Sequence, residues 1–209
     1  MTADGSVPST AADPLRRSPL AARGGDLAAA SSGAVRLAER PFRTQLNLRV
    51  DPGSPAARRV ADVLGMALPA AGRAVGDDHR AALWLGPDEW LIVAPEGAAD
   101  DLVAELLPAL AGRPGSVVDV SAHRTTVLVS GPAAPDVLAT GVSIDLHPRS
   151  FGPGRVAVTL LARIQVILWQ VDPGVDAGPS YRLLVGNSFA GYLADWLTDA
   201  ALEPASRET

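Results

Sequence analysis

Asp119, Ser121 and His123 come nearest in this sequence to a catalytic set, because aspartate, serine and histidine together form the triad of many hydrolases. No Gly-x-Ser-x-Gly turn surrounds Ser121, and the members of such triads come from distant segments of a chain. We therefore interpret Asp119 and His123 as a pair that stabilises a turn. A hydrolase triad is the alternative.

Three pairs of adjacent carboxylates could divide the roles of acid and base: Asp77-Asp78, Asp88-Glu89 and Asp100-Asp101. Neighbouring side chains point in different directions along a chain, which separates the two members of each pair. The second pair falls in a predicted hairpin loop, and the third opens a predicted helix, where the helix dipole favours negative charge. We infer that all three pairs are structural and predict no catalytic residue in this chain.

The composition excludes several further kinds of chemistry. The 209 residues are 47% apolar and 20% charged, with a formal charge of −5, which predicts one large globular domain or two small ones. All 18 basic residues are arginine, which excludes a Schiff-base lysine and a phosphate-loop lysine. Cysteine is absent and only three histidines occur, which argues against thiolate chemistry and a metal site.

The charge balance also bears on partners and location. An acidic chain without a basic stripe is expected to bind proteins or small molecules rather than nucleic acid or a membrane. Arg16-Arg17 is followed by no apolar core, so no export signal is predicted. We expect a cytoplasmic location.

Hydrophobic periodicity predicts two successive β-α-β-β-α units. The first has strands at 42–50, 81–85, 90–93 and 116–120, with helices at 55–64 and 100–110. The second has strands at 125–130, 156–161, 164–171 and 181–185, a helix through 138 and a final helix after 188. This order predicts an α+β fold: one pseudo-duplicated domain of two ferredoxin-like units packed through their sheets.

The ends of the chain lack a sustained period and are rich in small residues. We therefore predict a flexible N-terminal arm over 1–33, a domain over 34–201 with units of about 34–121 and 122–201, and a C-terminal tail over 202–209. The alternative for residues 1–33 is an arm that lies on a partner.

The four tryptophans, Trp84, Trp90, Trp169 and Trp196, lie in or beside predicted strands and helices. Core packing is one interpretation of them. The other is that one or two anchor an interface, because tryptophan gives a large contact area at a low entropic cost.

Several short motifs occur in an order that resembles a known family. They are Trp-Leu-Gly-Pro-Asp-Glu-Trp at 84–90, Val-Asp-Val-Ser-Ala-His-Arg-Thr at 118–125, Val-Ser-Gly-Pro at 129–132, and Ser188-Phe189 followed by Tyr192-Leu193. Across residues 15–200 the chain resembles the gamma subunit of heterotetrameric sarcosine oxidase. The first motif is the most specific.

The resemblance implies a small subunit of an enzyme that oxidises sarcosine to glycine and hydrogen peroxide, with the one-carbon unit released as formaldehyde or methylene-tetrahydrofolate. It implies alpha, beta and delta subunits as partners, principally the large folate-binding subunit, with FAD, FMN, NAD and zinc held by those partners and no cofactor in this chain. The implied fold is similar to that of the folate-binding aminomethyltransferases.

One departure from the aminomethyltransferases indicates the role of the chain. Those enzymes carry a working carboxylate after a Gly-Gly turn, whereas residues 159–168 here contain neither a Gly-Gly pair nor an acid. We therefore expect a non-catalytic scaffold, the alternatives being a stand-alone folate-binding module or a one-carbon transferase of the same fold. The candidate motif and partner-contact residues are Trp84, Gly86, Pro87, Asp88, Trp90, Arg124, Arg163 and Trp169.

Overall fold

The structure, a computed structural model, describes residues 16–172 and 178–202. Five α-helices, one 3₁₀ helix (Asn187–Phe189) and ten strands occur in those ranges. The helices are α1 (Gly24–Ala29), α2 (Pro55–Leu64), α3 (Ala99–Leu110), α4 (Ala134–Ala139) and α5 (Ala190–Ala200). The strands are β1 (Arg36–Arg40), β2 (Thr44–Val50), β3 (Ala74–Gly76), β4 (Ala81–Gly86), β5 (Glu89–Ala94), β6 (Gly115–Asp119), β7 (Arg124–Ser130), β8 (Val156–Leu161), β9 (Ile164–Val171) and β10 (Ser180–Gly186).

The strands form two five-stranded sheets. The N-terminal sheet has the order β3-β4-β5-β2-β6, the C-terminal sheet has the order β1-β7-β10-β9-β8, and the strand pairs described in both are antiparallel. Strands β6, β2, β5 and β4 are arranged as in a ferredoxin-like unit, and β1, β7, β10 and β9 repeat that arrangement. The predicted α+β fold of two ferredoxin-like units is therefore confirmed.

The residues at the two ends of helix α2 determine where the helix begins and ends. The Ser54 hydroxyl accepts a hydrogen bond from the Ala57 amide at 3.2 Å, and Pro55 occupies the first turn, where its missing N–H is not needed. Gly65 ends the helix in the left-handed conformation with φ of 68°. Each of these residues lies at or next to the helix end that it sets, which explains why the predicted bounds match.

The predicted boundary between the two units is wrong at its start. Strand β1 belongs to the C-terminal sheet, where Arg36 pairs with Ser130 and Arg40 pairs with Thr126. The predicted first unit, 34–121, thus gives one strand to the second unit. Within the described residues no strand follows α5, so β1 takes the place beside β7 that β6 takes beside β2.

The predicted flexible arm is also wrong for residues 16–33. Leu20 and Leu27 are fully enclosed in the core of the C-terminal sheet, and α1 packs against β1 and α5. The Ser31 hydroxyl donates to the Leu27 carbonyl at 2.9 Å and accepts from the Leu37 amide at 2.9 Å, which joins α1 to β1. A helix of six residues has fewer than two turns, too few for a helical period to be recognised in the sequence. Residues 1–15 of the arm and 203–209 of the tail lie outside the described residues.

The two sheets face each other, with helices on their outer faces. One apolar layer separates the N-terminal sheet from α2 and α3, and another separates the C-terminal sheet from α1, α4 and α5. Between the sheets lies a third layer, which includes Leu83, Leu91, Ile167, Trp169 and Leu184. Trp169 is only 3% exposed, so of its two interpretations the structure supports core packing.

We expect Trp169→Ala to lower the free energy of unfolding of the isolated chain by about 3–5 kcal/mol, because it leaves a large cavity between the sheets. Phe189→Ala is the matched control: Phe189 is 53% exposed, and its truncation should change stability by only about 0.5 kcal/mol. Urea denaturation followed by circular dichroism measures both. Equal losses in the two variants would contradict the central position of Trp169.

Candidate functional site

The Trp-Leu-Gly-Pro-Asp-Glu-Trp segment forms the β4–β5 hairpin. Its tip is fixed to β2: Arg49 donates to both carboxylate oxygens of Asp88 at 2.9 and 3.0 Å and to Glu89 at 3.3 Å. The Val50 amide donates to the Asp88 carbonyl at 3.0 Å. Gly86 lies at a bulge in the register, and Pro87 is exposed. The motif thus makes a rigid, partly exposed hairpin tip.

The tryptophans of this hairpin differ in exposure. Trp90 is 2% exposed, and its indole N–H donates to the Pro69 carbonyl at 2.9 Å. Trp84, its cross-strand partner, is half-buried at the edge of two core layers. Trp90 and Trp169 are thus both enclosed by this chain, and neither side chain lies at its surface.

The β8–β9 hairpin carries an uncovered apolar face. Val156, Val158 and Leu160 share one face of β8 by the alternation of a strand. Val156 is buried between the sheets, whereas Val158 is 45% and Leu160 54% exposed. Arg163 is exposed in the turn, next to Ala162, whose φ of 50° is left-handed. We call Val158, Leu160 and Arg163 the β8 patch.

Arg124 begins β7 and is half-buried. Burial lowers the pKa of its guanidinium, and the charge of Glu89 partly opposes that effect. Arg124 is therefore close enough to Glu89 of the β4–β5 hairpin for the two charges to interact.

The Asp119, Ser121 and His123 segment forms a turn. The Ser121 amide donates to Asp119 Oδ1 at 2.8 Å, and the Ser121 hydroxyl also contacts that carboxylate and accepts from the Gln45 amide at 3.0 Å. The predicted turn is confirmed, but among the described residues the partner of Asp119 is Ser121 rather than His123. The reason is local, since a carboxylate readily bonds the backbone two residues on.

A buried arginine is the feature that the sequence interpretation missed. Arg182, in the middle of β10, is 6% exposed. Its Nε donates to Asp78 Oδ1 at 2.9 Å, a second guanidinium nitrogen bonds Oδ2, and Nη1 donates to the Ser180 hydroxyl at 2.9 Å and the Tyr181 carbonyl at 3.3 Å. The signal was a single charge within the apolar run 181–185. Nothing local pointed to Asp78, which is 104 residues away.

Asp78 lies in the β3–β4 loop, beside three arginines. Partial burial opposes its ionisation, but the hydrogen bonds and charge of Arg182, with the charges of Arg43 and Arg40, outweigh burial and hold the pKa of this carboxyl below its ordinary value. Arg43 also donates to the Asp78 carbonyl. Burial lowers the pKa of Arg43, while Asp78 opposes that shift. Asp78 is therefore ionised at neutral pH.

A cavity of about 100 Å³ adjoins this ion pair, between the two sheets. Its polar lining residues are Arg40, Arg43, Asp78, Thr126 and Arg182, and its apolar lining residues are Val93, Trp169 and Leu184. The cross-strand register places Arg40, Thr126 and Leu184 in one row and Arg182 and Trp169 in the next.

Other kinds of site are not found in the part of the chain that the structure describes. Within residues 16–172 and 178–202, no three His, Asp or Glu side chains are grouped as a metal ion requires. No helix in those ranges has the length and apolar character needed to cross a membrane.

Residues 49–203 match the model of the sarcosine oxidase, gamma subunit family. The chain belongs to this family. It is 44% identical over 198 residues to sarcosine oxidase subunit gamma of Arthrobacter sp., covering 92% of this chain and 93% of the relative. Subunit gamma of Corynebacterium sp. strain P-1 is 43% identical over 195 residues, with the same coverage of 92% and 93%. The resemblance inferred from the motifs is confirmed.

Solved structures agree with the family assignment. A chain of the heterotetrameric sarcosine oxidase from Corynebacterium sp. U-96, in complex with pyrrole 2-carboxylate, matches with a TM-score of 0.84 at 42% identity, covering 91% of this chain and 97% of that one. The glycine cleavage system aminomethyltransferase T from Bartonella henselae matches with a TM-score of 0.60, covering 83% of this chain and 48% of that one. At 16% identity the second match shows the fold alone.

We expect Asp78→Asn to lower the free energy of unfolding at pH 7 by about 2 kcal/mol, because it leaves the buried Arg182 charge without its carboxylate; a fully buried pair would cost roughly 3–5 kcal/mol. Folding lowers the pKa of Asp78, so its stabilising effect is present above the ordinary carboxyl pKa and is lost as the pH falls through the lowered value. The difference between wild type and variant should therefore shrink below about pH 4.

Urea denaturation at pH values from about 3 to about 7 measures this difference, because that range spans the ordinary carboxyl pKa of about 4. Asp62→Asn, at an exposed position of α2, serves as the control and should match wild type. A difference for Asp78→Asn that stays constant as the pH falls would exclude the carboxylate charge as its cause.

Proposed function

We propose that this chain is a non-catalytic gamma-type subunit of a heterotetrameric sarcosine oxidase complex, which it assembles with alpha, beta and delta subunits in the cytoplasm. The complex converts sarcosine to glycine and hydrogen peroxide, with the one-carbon unit leaving as formaldehyde or methylene-tetrahydrofolate. FAD, FMN, NAD and zinc reside in the other subunits. The observation that carries this proposal is the match over 91% of the chain to a chain of such a heterotetramer.

The β8–β9 hairpin supports a scaffolding role for this chain. It occupies the stretch in which a folate-activating carboxylate would be expected, yet residues 159–168 contain no acid. Its turn is Ala162-Arg163, and its uncovered face is apolar. An exposed cation cannot take up the proton of a folate amine, because arginine is already protonated at neutral pH.

The β8 patch is the surface proposed to contact the large folate-binding subunit. Val158 and Leu160 offer apolar area, and Arg163 offers a charge at its border for a partner carboxylate. The half-buried Trp84 and Arg124, with the tip residues Gly86, Pro87 and Asp88 of the β4–β5 hairpin, supply the remaining predicted contact positions.

We expect Leu160→Asp to abolish co-purification of this chain with the other subunits, because it places a charge in a desolvated contact. Leu107→Asp is a matched control, since Leu107 is 52% exposed on α3 and Leu160 is 54% exposed on β8. Both isolated variants should melt within a few degrees of wild type, as surface changes of about 0.5 kcal/mol do. Loss of assembly in both variants, or in neither, would exclude the β8 patch.

The isolated chain should show no flavin absorbance and no peroxide formation with sarcosine, because its sequence contains no recognisable cofactor-binding motif. Calorimetric titration with reduced folate should give no measurable heat of binding, since the stretch 159–168 lacks the acid. The reconstituted heterotetramer is the positive control for both assays. Turnover by the isolated chain would exclude the scaffold proposal, and folate binding without turnover would favour a binding module.

A further inference from the structure

The inter-sheet cavity has an excess of positive charge. Arg40, Arg43 and Arg182 line it, and Asp78 is the single carboxylate among the described residues that do so. Asp78 is already engaged by Arg182 through both carboxylate oxygens. Among the described residues, neither Arg40 nor Arg43 forms a salt bridge with a carboxylate within 4.0 Å. Asp78 is thus the one carboxylate that the three lining guanidinium groups share, and the charge at this cavity is net positive.

Unused hydrogen-bonding groups lie in the same place. Arg43 donates one hydrogen bond, to the Asp78 carbonyl, and its other N–H groups have no partner among the described residues. Thr126 is 5% exposed, and its hydroxyl Oγ1 is buried with no hydrogen-bond partner in the described part of the chain. An unpaired buried hydroxyl is unfavourable, so a group in the cavity that forms a hydrogen bond with it is favoured.

The remaining lining residues of the cavity are apolar. Val93 reaches the cavity from the N-terminal sheet, and Trp169 and Leu184 reach it from the C-terminal sheet. All three belong to the layer between the sheets. A ligand that fits must therefore join a compact anionic group to a short apolar part.

We propose that this cavity binds a small monocarboxylate, with its carboxylate at Arg43 and the Thr126 hydroxyl and its carbon chain against Trp169 and Leu184. The planar guanidinium matches the two oxygens of a carboxylate, and the neighbouring Arg40 adds charge. A volume of about 100 Å³ accommodates an acid of a few heavy atoms, since one water molecule needs roughly 10–15 Å³ of free cavity. The site is separate from the β8 patch and does not depend on the proposed subunit role.

The alternative occupants differ in measurable ways. If the cavity holds only water, the protein will show no preference for a charged ligand over a neutral one. Inorganic phosphate would use the arginines but gain nothing from the apolar lining residues. Propionate and its neutral analogue propionamide have nearly the same shape, so the difference between them reports the carboxylate charge.

The test is a titration of the full chain with sodium propionate at constant ionic strength, followed by the indole N–H signal of Trp169 in ¹H–¹⁵N spectra. We expect a saturable shift with propionate and none with propionamide at equal concentration. Arg43→Gln should weaken binding at least tenfold, and Thr126→Val, which keeps the shape of the side chain, should weaken it several-fold. Arg58→Gln removes an exposed charge elsewhere, on α2, and should leave binding unchanged.

Melting curves of each variant first establish that it is folded. Equal shifts with propionate and propionamide would overturn the proposal, as would undiminished binding by folded Arg43→Gln. Tighter binding of inorganic phosphate than of propionate would overturn the assignment to a carboxylate.

Discussion

The packing of the two sheets against each other is the constraint on which the rest of the molecule depends. Each sheet carries helices on its outer face, so both faces of its central strands must be buried. This requirement explains why β5 and β9 are apolar along nearly their whole length rather than alternating. It also explains the position of Trp169, a large side chain that fills space between the N-terminal and C-terminal sheets.

Among the described residues, one charged side chain, Arg182, is buried beside this layer, and neighbouring polar groups bond to it. Arg182 lies on a central strand of the C-terminal sheet, and its carboxylate partner, Asp78, comes from a loop of the N-terminal unit. Taking a guanidinium out of water is costly unless its donors are matched, and here a carboxylate, a hydroxyl and a carbonyl accept four hydrogen bonds from its five N–H groups. The ion pair thus connects the two units at one edge of the apolar layer. The adjacent cavity is an interruption in the close packing of that layer.

The C-terminal unit is completed by strand β1, which precedes both units in the chain. In the N-terminal sheet β6 follows α3 and pairs with β2, whereas in the C-terminal sheet β1, which precedes both units, pairs with β7. Residues 18–40 are therefore part of the second core, with Leu20 and Leu27 enclosed. Membership of the sarcosine oxidase gamma subunit family fits this architecture, but the role of the chain follows from its surfaces rather than its fold, since one fold serves many functions.

The sequence by itself determined the features that depend on near neighbours. Ser54, Pro55 and Gly65 set the ends of α2, and continuous apolar runs placed β8 and β9 at their observed bounds. The order of short motifs was enough to assign the family. Tertiary structure decided everything that joins distant segments: the transfer of β1 to the C-terminal sheet, the burial of Leu20, and the pairing of Arg182 with Asp78. Periodicity tells which residues face a core, but the partner of a buried charge and the sheet that an edge strand joins depend on contacts between segments up to 104 residues apart.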